Sequence, residues 1–422
     1  MDIYKIKGGK KLTGEIPVSG AKNAALPIIV ASLLAEGDTV LKNVPALVDI
    51  KTIIKVIECL GAITDFNTDT NTLKIHVNSL KNAEAPYDLV KTMRASIYVM
   101  GPLLARCGEA DVSLPGGCAI GERPVDIHLD GFSAMGASIE IDHGYIKART
   151  KKLKGTRIFM KKVSVGATAN LLMGAVLADG ETILENCAME PDIVDLGNFL
   201  IKMGGKIEGL GTESIRIQGV KKLSPVTYSI MPDRIEAGTY LLAGAVTRGD
   251  VTITKVVPDH IRALITTLSD MGFAVTETKS TVSIAPTKTL TGASVRTLPF
   301  PGFPTDLQAP MMSLMCTVPG ISVIIETIFE NRYTHAAELR RMGADITIEG
   351  NIAIIKGGGK LTSATVMMSD LRAGASLVVA ALAAKGETEI RRIYHSDRGY
   401  EKLTEKLSAA GADIKRVTGG KL

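Results

Sequence analysis

Leu114 to Gly131 reads LPGGCAIGERPVDIHLDG and contains Cys118, the cysteine best placed for chemistry. Pro115 and several glycines precede a predicted helix, so the thiol sits in a loop free to adopt strained or moving conformations. Arg123 follows closely, and a nearby cation favours thiolate, the reactive form of cysteine. A Cys–His hydrolase using Cys118 and His128 is one reading of the loop, but no oxyanion motif accompanies it. The other four cysteines, Cys59, Cys107, Cys187 and Cys316, lie in or just after periodic apolar segments. They read as small core residues. The five cysteines are odd in number and scattered, with no CxxC pair, which argues against a zinc ribbon or disulfide framework and for a reducing, cytoplasmic setting.

A second set of candidates stands at predicted helix starts. SGAKNAA holds Lys22, KTMRASI holds Arg94, KVSVGAT holds Ser164, MPDRIEAGT holds Asp233, FPTDLQA holds Asp306 and SDLRAGAS holds Asp370 and Arg372. Ser, Thr and Asp belong at N-caps whatever the function. Lys and Arg there oppose the helix dipole, so Lys22, Arg94 and Arg372 are poorly explained by stability. Cations added to the positive end of a helix make an anion site. GGGKLT at Gly357 lacks phosphate-loop spacing and reads as a turn, as does GGKK at Gly8. The six histidines show no metal-ligand spacing, and the reading needs no metal and no cofactor.

The elements that position these groups recur. A glycine turn before a β-branched run appears at Gly37, Gly108, Gly180, Gly249, Gly320 and Gly386, about 70 residues apart. Each is followed by an amphipathic helix ending in glycine, as in ECLGA, SAMGA, IKMGG, SDMGF, RRMGA and SAAGA. One unit reads as an apolar helix from Leu26, a strand from Thr39, an amphipathic helix from Val48 and a hairpin. An apolar helix in every unit implies helices inside and sheet outside. The predicted fold is α/β, with two lobes of three helix-strand-helix-strand-strand repeats. The opening strand matches the segment that closes each unit. The first lobe is therefore expected to span 22–231, with the Cys118 loop, and the second 1–21 plus 232–422.

Composition narrows the partners. The 422 residues are 45% hydrophobic with no Trp, and 49 basic against 44 acidic residues leave a net charge of +5. No basic block marks a nucleic-acid surface, and no apolar run is long enough to span a membrane as a helix. A small positive excess suits small anionic substrates.

SGAKNAALP, PGGCAIGERPVD, KVSVGATAN, GFPTDLQ, TIFENR and YHSDRGYEKL together resemble the UDP-N-acetylglucosamine enolpyruvyl transferase family, in the family's order and over essentially the whole chain. The resemblance implies an inside-out α/β barrel in each lobe, with the active site in the cleft between lobes. It implies phosphoenolpyruvate and UDP-N-acetylglucosamine as substrates, and the first committed step of peptidoglycan precursor synthesis. By the same resemblance Cys118 is the proton donor to C3 of phosphoenolpyruvate and the target of fosfomycin, and Asp306 is the base for the sugar 3-hydroxyl. Lys22, Arg123 and Arg398 form the phosphate clamp, Arg332 and Arg372 lie near the carboxylate, and Asn23 holds the reacting sugar. Arg94, Arg123, Pro124, Val125, Asp126, Ile127, Lys162, Val163, Ser164, Val165, Asp306 and Ile328 bind the UDP-sugar. The competing readings are 3-phosphoshikimate enolpyruvyl transferase, which needs neither the PGGC loop nor the KVSVG stretch, and a non-catalytic UDP-sugar-binding regulator. An RNA-end-modifying enzyme on a related fold lacks its basic surface.

Overall fold

The computed structural model describes residues 2–80, 83–85, 94–114 and 125–418. The described residues from Gly20 to Met231 form one compact unit, and residues 2–19 with those from Pro232 onward form the other.

Six apolar helices make the two cores: α1 (Lys22–Ala31), α3 (Met100–Cys107) and α5 (Val165–Ala175) in the first unit, α7 (Arg234–Val246), α9 (Thr305–Thr317) and α11 (Leu371–Ala383) in the second. In α7 every residue from Ile235 to Val246 is buried, and in α11 every residue from Arg372 to Leu382. A helix buried on all faces must lie inside its unit. Six amphipathic helices pack one face inward: α2 (Val48–Cys59), α4 (Asp126–Ala134), α6 (Pro191–Lys202), α8 (Arg262–Asp270), α10 (Thr334–Arg341) and α12 (Leu403–Ala409). All six stop at a glycine with φ between +89° and +109°, at Gly61, Gly136, Gly204, Gly272, Gly343 and Gly411. That left-handed conformation closes a helix at little cost only in glycine.

Among the described residues, six four-stranded sheets share one plan. In the first, Gly37–Lys42 pairs antiparallel with Thr72–Val77, which pairs with Ile63–Asn67, and Thr227–Ser229 runs parallel on the other side. That outer strand comes from the end of the third repeat and closes the ring of three. In the second unit the chain start does this work. Thr13–Pro17 runs parallel to Asp250–Thr254, and Asp2–Lys7 lies between Glu387–Arg391 and Asp413–Thr418. Alternating burial along the strands, as at Val251 and Ile253, turns one face onto the helices. The architecture is the expected α/β repeat with interior helices.

Two expectations need correction. The apolar helix of the first repeat begins at Lys22, four residues before the apolar run at Leu26, so Lys22 and Asn23 are in its first turn and not ahead of it. Cys59 and Cys107 are exposed, whereas Cys187 and Cys316 are buried. Cys59 stands four residues after the exposed Lys55 and shares its solvent-facing side of α2. Among the described residues no helix is long and apolar enough to cross a membrane.

Candidate functional site

Two chain segments lead into the candidate residues, and buried carboxylates fix each. In the second unit, Glu236 accepts from the Ser19 amide at 2.6 Å and from Lys406 Nζ at 2.7 Å. In the first, Asp195 accepts from the Met231 amide at 3.1 Å and from the Tyr228 hydroxyl at 2.7 Å. Burial pushes the Asp195 carboxyl up to about 6 despite those two donors.

Lys22 follows at once, in the first turn of α1. It is 8% exposed, and its Nζ donates to Asp49 Oδ2 at 3.1 Å. Asp49 occupies the first turn of α2 and is itself buried. An ammonium at a helix start opposes the dipole, and the facing carboxylate offsets that penalty. Asn23 beside it is half-buried. On α5, Ser164 is a true N-cap, accepting from the Ala167 amide at 3.2 Å. Lys162 just before it is exposed, Val163 is half-buried, and Val165 opens the helix. Val125 precedes α4, whose first turn carries Asp126, exposed, and Ile127, half-buried. Arg94 opens a 3-10 helix, Arg94–Val99, that runs into α3. Cys118, Arg123 and Pro124 lie outside the described residues. His128 is buried with its Nδ1 against Asn170 Nδ2 at 3.1 Å, and Asn170 also anchors the Ile97 carbonyl and the Gly101 amide. That ring nitrogen is the acceptor of a packing network, which argues against the hydrolase reading.

In the second unit the folding chain brings three candidates into contact. Asp306, in the first turn of α9, accepts from Arg332 Nη2 through Oδ1 and from Arg372 Nη2 through Oδ2, both at 2.8 Å. Both guanidiniums are buried, at 5% and 4% exposure. Burial works against charge on Arg372, but the Asp306 carboxylate together with Tyr400 and Asp233 raises the guanidinium pKa above its ordinary value. Arg372 Nη1 also donates to the Tyr400 hydroxyl at 3.2 Å, and Tyr400 bonds Thr239 at 2.9 Å. Asp370 caps α11 by accepting from the Arg372 and Ala373 amides. Burial disfavours its charge, yet those amides and the Arg332 charge leave its carboxyl below the usual range. Nearby His335 is buried and pushed down to about 4, so it is neutral at pH 7. Ile328 and Arg398 are half-buried, the latter closing a 3-10 helix, Ile393–Arg398.

A carboxylate carries about four lone-pair sites, and the two arginines take one on each oxygen of Asp306. Each guanidinium has five donors, and Arg372 Nε is buried with no partner among the described residues. The cluster thus offers one carboxylate and cationic donors, a set suited to a hydroxyl nucleophile and an anionic co-substrate. Asp49, which holds Lys22, and Tyr400, which holds Arg372, touch candidate residues by side chain, and sequence reasoning did not find them.

The family model for EPSP synthase (3-phosphoshikimate 1-carboxyvinyltransferase) matches residues 6–407. UDP-N-acetylglucosamine 1-carboxyvinyltransferase of Geobacter metallireducens is 54% identical over 417 residues, covering 99% of this chain and 100% of that protein. The same-named protein of Myxococcus xanthus is 51% identical over 417 residues, covering 99% of both. Among solved structures, the enolpyruvyl transferase NikO from Streptomyces tendae superposes with a TM-score of 0.89 at 26% identity, covering 99% of each chain. EPSP synthase from Acinetobacter baumannii superposes at 0.78 and 20% identity, over 99% of this chain and 100% of that one, which speaks to fold alone. On these grounds the chain belongs to the UDP-N-acetylglucosamine 1-carboxyvinyltransferase family of enolpyruvyl transferases.

Proposed function

We propose that this chain transfers the enolpyruvyl group of phosphoenolpyruvate to the 3-hydroxyl of UDP-N-acetylglucosamine, releasing phosphate, as the first committed step of peptidoglycan precursor synthesis in the cytoplasm. The observation that carries the reading is Asp306 held between Arg332 and Arg372, in a chain 54% identical end to end to a relative of that name. The 3-phosphoshikimate reading is supported by the family model, but its solved structures stand at only 20% identity.

In this mechanism the sugar oxygen attacks C2 of phosphoenolpyruvate. Its proton goes to Asp306, and the Cys118 thiol gives a proton to C3. A tetrahedral adduct forms. The Cys118 thiolate then takes a proton back from C3, the double bond re-forms, and the C2–O bond to phosphate breaks, the departing phosphate carrying off the proton held by Asp306. Acid and base act on either side of C2, because protonation of C3 develops positive charge at C2 and the deprotonated hydroxyl quenches it. Lys22, Arg123 and Arg398 hold the phosphate as its charge grows, and Arg332 and Arg372 turn their remaining donors to the carboxylate. Asn23 holds the reacting sugar. Arg94, Arg123 to Ile127, Lys162 to Val165 and Ile328 bind the nucleotide-sugar.

The test is phosphate release from phosphoenolpyruvate with each acceptor in turn. Release with UDP-N-acetylglucosamine and none with shikimate 3-phosphate is the expected result. The reverse pattern defeats the proposal.

A further inference from the structure

Glu326 lies immediately after the strand Gly320–Ile325 and is 3% exposed. Its carboxylate accepts four hydrogen bonds. Oε1 takes the Thr297 hydroxyl at 2.9 Å, the Ile328 amide at 2.8 Å and the Phe329 amide at 3.1 Å. Oε2 takes the Thr305 hydroxyl at 2.9 Å. The Glu326 backbone is itself fixed, donating to the Asn351 carbonyl at 2.9 Å and accepting from Asn351 Nδ2 at 3.1 Å. Thr297 also receives the Thr327 amide at 2.9 Å. Glu326 forms no salt bridge with the described residues, and four neutral donors satisfy its buried side chain.

Three of the four donors come from segments that bear the proposed chemistry. Thr305 opens α9 one residue before Asp306. Ile328 and Phe329 lead to Arg332, whose guanidinium carbon lies 5.2 Å from the centre of the Phe329 ring. Arg332 then returns to Asp306 at 2.8 Å. The contacts close a ring: Glu326 to Thr305 and Asp306, across to Arg332, back through Phe329 to Glu326. A loop that needed only to be stable could satisfy the same amides with a hydroxyl or with water. A carboxylate with two oxygens directed to two different segments does something a single hydroxyl cannot: it fixes the separation between them.

We propose that Glu326 is a positioning residue for enolpyruvyl transfer, setting the base Asp306 against Arg332 and shaping the Ile328 contact with the UDP-sugar through one buried carboxylate. The proposal rests on the functional reading above, and its test separates the two.

Glutamine is the discriminating substitution. With its carbonyl oxygen in the Oε1 position it keeps three acceptor bonds. Its amide can donate to Thr305, whose hydroxyl both donates and accepts. Geometry alone therefore predicts that Glu326→Gln keeps at least about a third of wild-type kcat. Glu326→Ala frees both segments. Its kcat is expected to fall about tenfold or more, with the Kd for UDP-N-acetylglucosamine, measured by calorimetry, rising about fivefold. Thr305→Val cuts only the branch to Asp306 and should lower kcat by about threefold or more while leaving that Kd unchanged. A destabilised but correctly built site would not split kcat from Kd in this way. A folded Glu326→Ala enzyme with kcat and Kd within about twofold of wild type overturns the proposal, as does a Gln variant as impaired as Ala. If Ala does not fold, the Gln and Val variants decide on the same terms, and Thr305→Val with unchanged kcat overturns it. A wild-type enzyme that releases phosphate only with another acceptor defeats the substrate reading alone, and the kcat comparison is then made with that acceptor.

Discussion

Replacing Asp306 by Asn tests the proposed base and its setting in one variant. Asn keeps the size of the side chain but turns one acceptor into an NH2 donor. Of the two arginines bonded at 2.8 Å, one keeps an acceptor and the other faces a donor. Breaking a buried ion pair costs about 3–5 kcal/mol, because the surviving charge is left uncompensated. The Asp306 side chain is 26% exposed, and solvent recovers part of that, so about 2–3 kcal/mol of lost stability is expected for the free enzyme. A bound anion supplies the missing negative charge. Phosphoenolpyruvate should therefore raise the melting temperature of Asp306→Asn by more than it raises that of the wild type. Turnover should fall about 10²–10⁴-fold, the usual contribution of a positioned acid or base. Calorimetric melting with and without phosphoenolpyruvate, alongside phosphate-release kinetics, measures both effects. Retention of more than about a tenth of wild-type kcat would refute Asp306 as the base. An equal ligand-induced shift in both proteins would refute the electrostatic account of the arginine pair.

Cys118→Ala should abolish turnover and fosfomycin labelling by mass spectrometry, whereas Cys118→Asp should keep turnover and resist labelling, because a carboxylate is the poorer nucleophile; labelling of the Ala variant at that peptide would reject Cys118. Asp195 makes a linkage prediction: its carboxyl is raised from the usual 3.8 to about 6, so the folded state binds the proton more tightly than the unfolded chain. Its stabilising contribution is full below about pH 4 and is lost as pH rises through about 6, up to about 3 kcal/mol in all. Denaturant midpoints measured from pH 4 to 7 should decline less steeply in Asp195→Asn, and equal slopes would exclude Asp195 as the source. For Lys22 and Asp49, buried and 3.1 Å apart, the losses in stability from Lys22→Ala and Asp49→Ala should be non-additive by more than about 1 kcal/mol in a double-mutant cycle. Additivity within about 0.5 kcal/mol would mean the pair is not coupled.

The repeat was legible because it is written in local terms. A left-handed glycine after a helix and a β-branched run after a turn need no tertiary context, and both recur at every unit. Helix starts were less legible. Propensity and apolar periodicity place the first helix at Leu26, but it begins at Lys22, where the Asp49 carboxylate from α2 offsets the unfavourable charge. That contact is tertiary and leaves no local pattern. The exposure of Cys59 was hidden for a related reason: the cysteine sits at the end of an amphipathic helix, and its face is decided by which residues α2 buries.

The helix N-terminus explains why capping and chemistry were hard to separate. Ser164, Asp233 and Asp370 occupy the repeated position as side-chain caps, each accepting a first-turn amide. Lys22 and Asp306 occupy the same neighbourhood one or two residues further in, where they cap nothing by side chain and instead hold an opposite charge from another element. A cap satisfies its own helix and needs only short-range geometry. A functional charge at that site is stable only if the fold supplies its partner, and here the partners Asp49, Arg332 and Arg372 arrive from 27, 26 and 66 residues away in sequence. Divergence between repeats at one shared position is therefore the signal of chemistry. Where a repeat keeps the cap, the position serves the helix. Where it carries a charge answered only by tertiary contact, the helix serves the site.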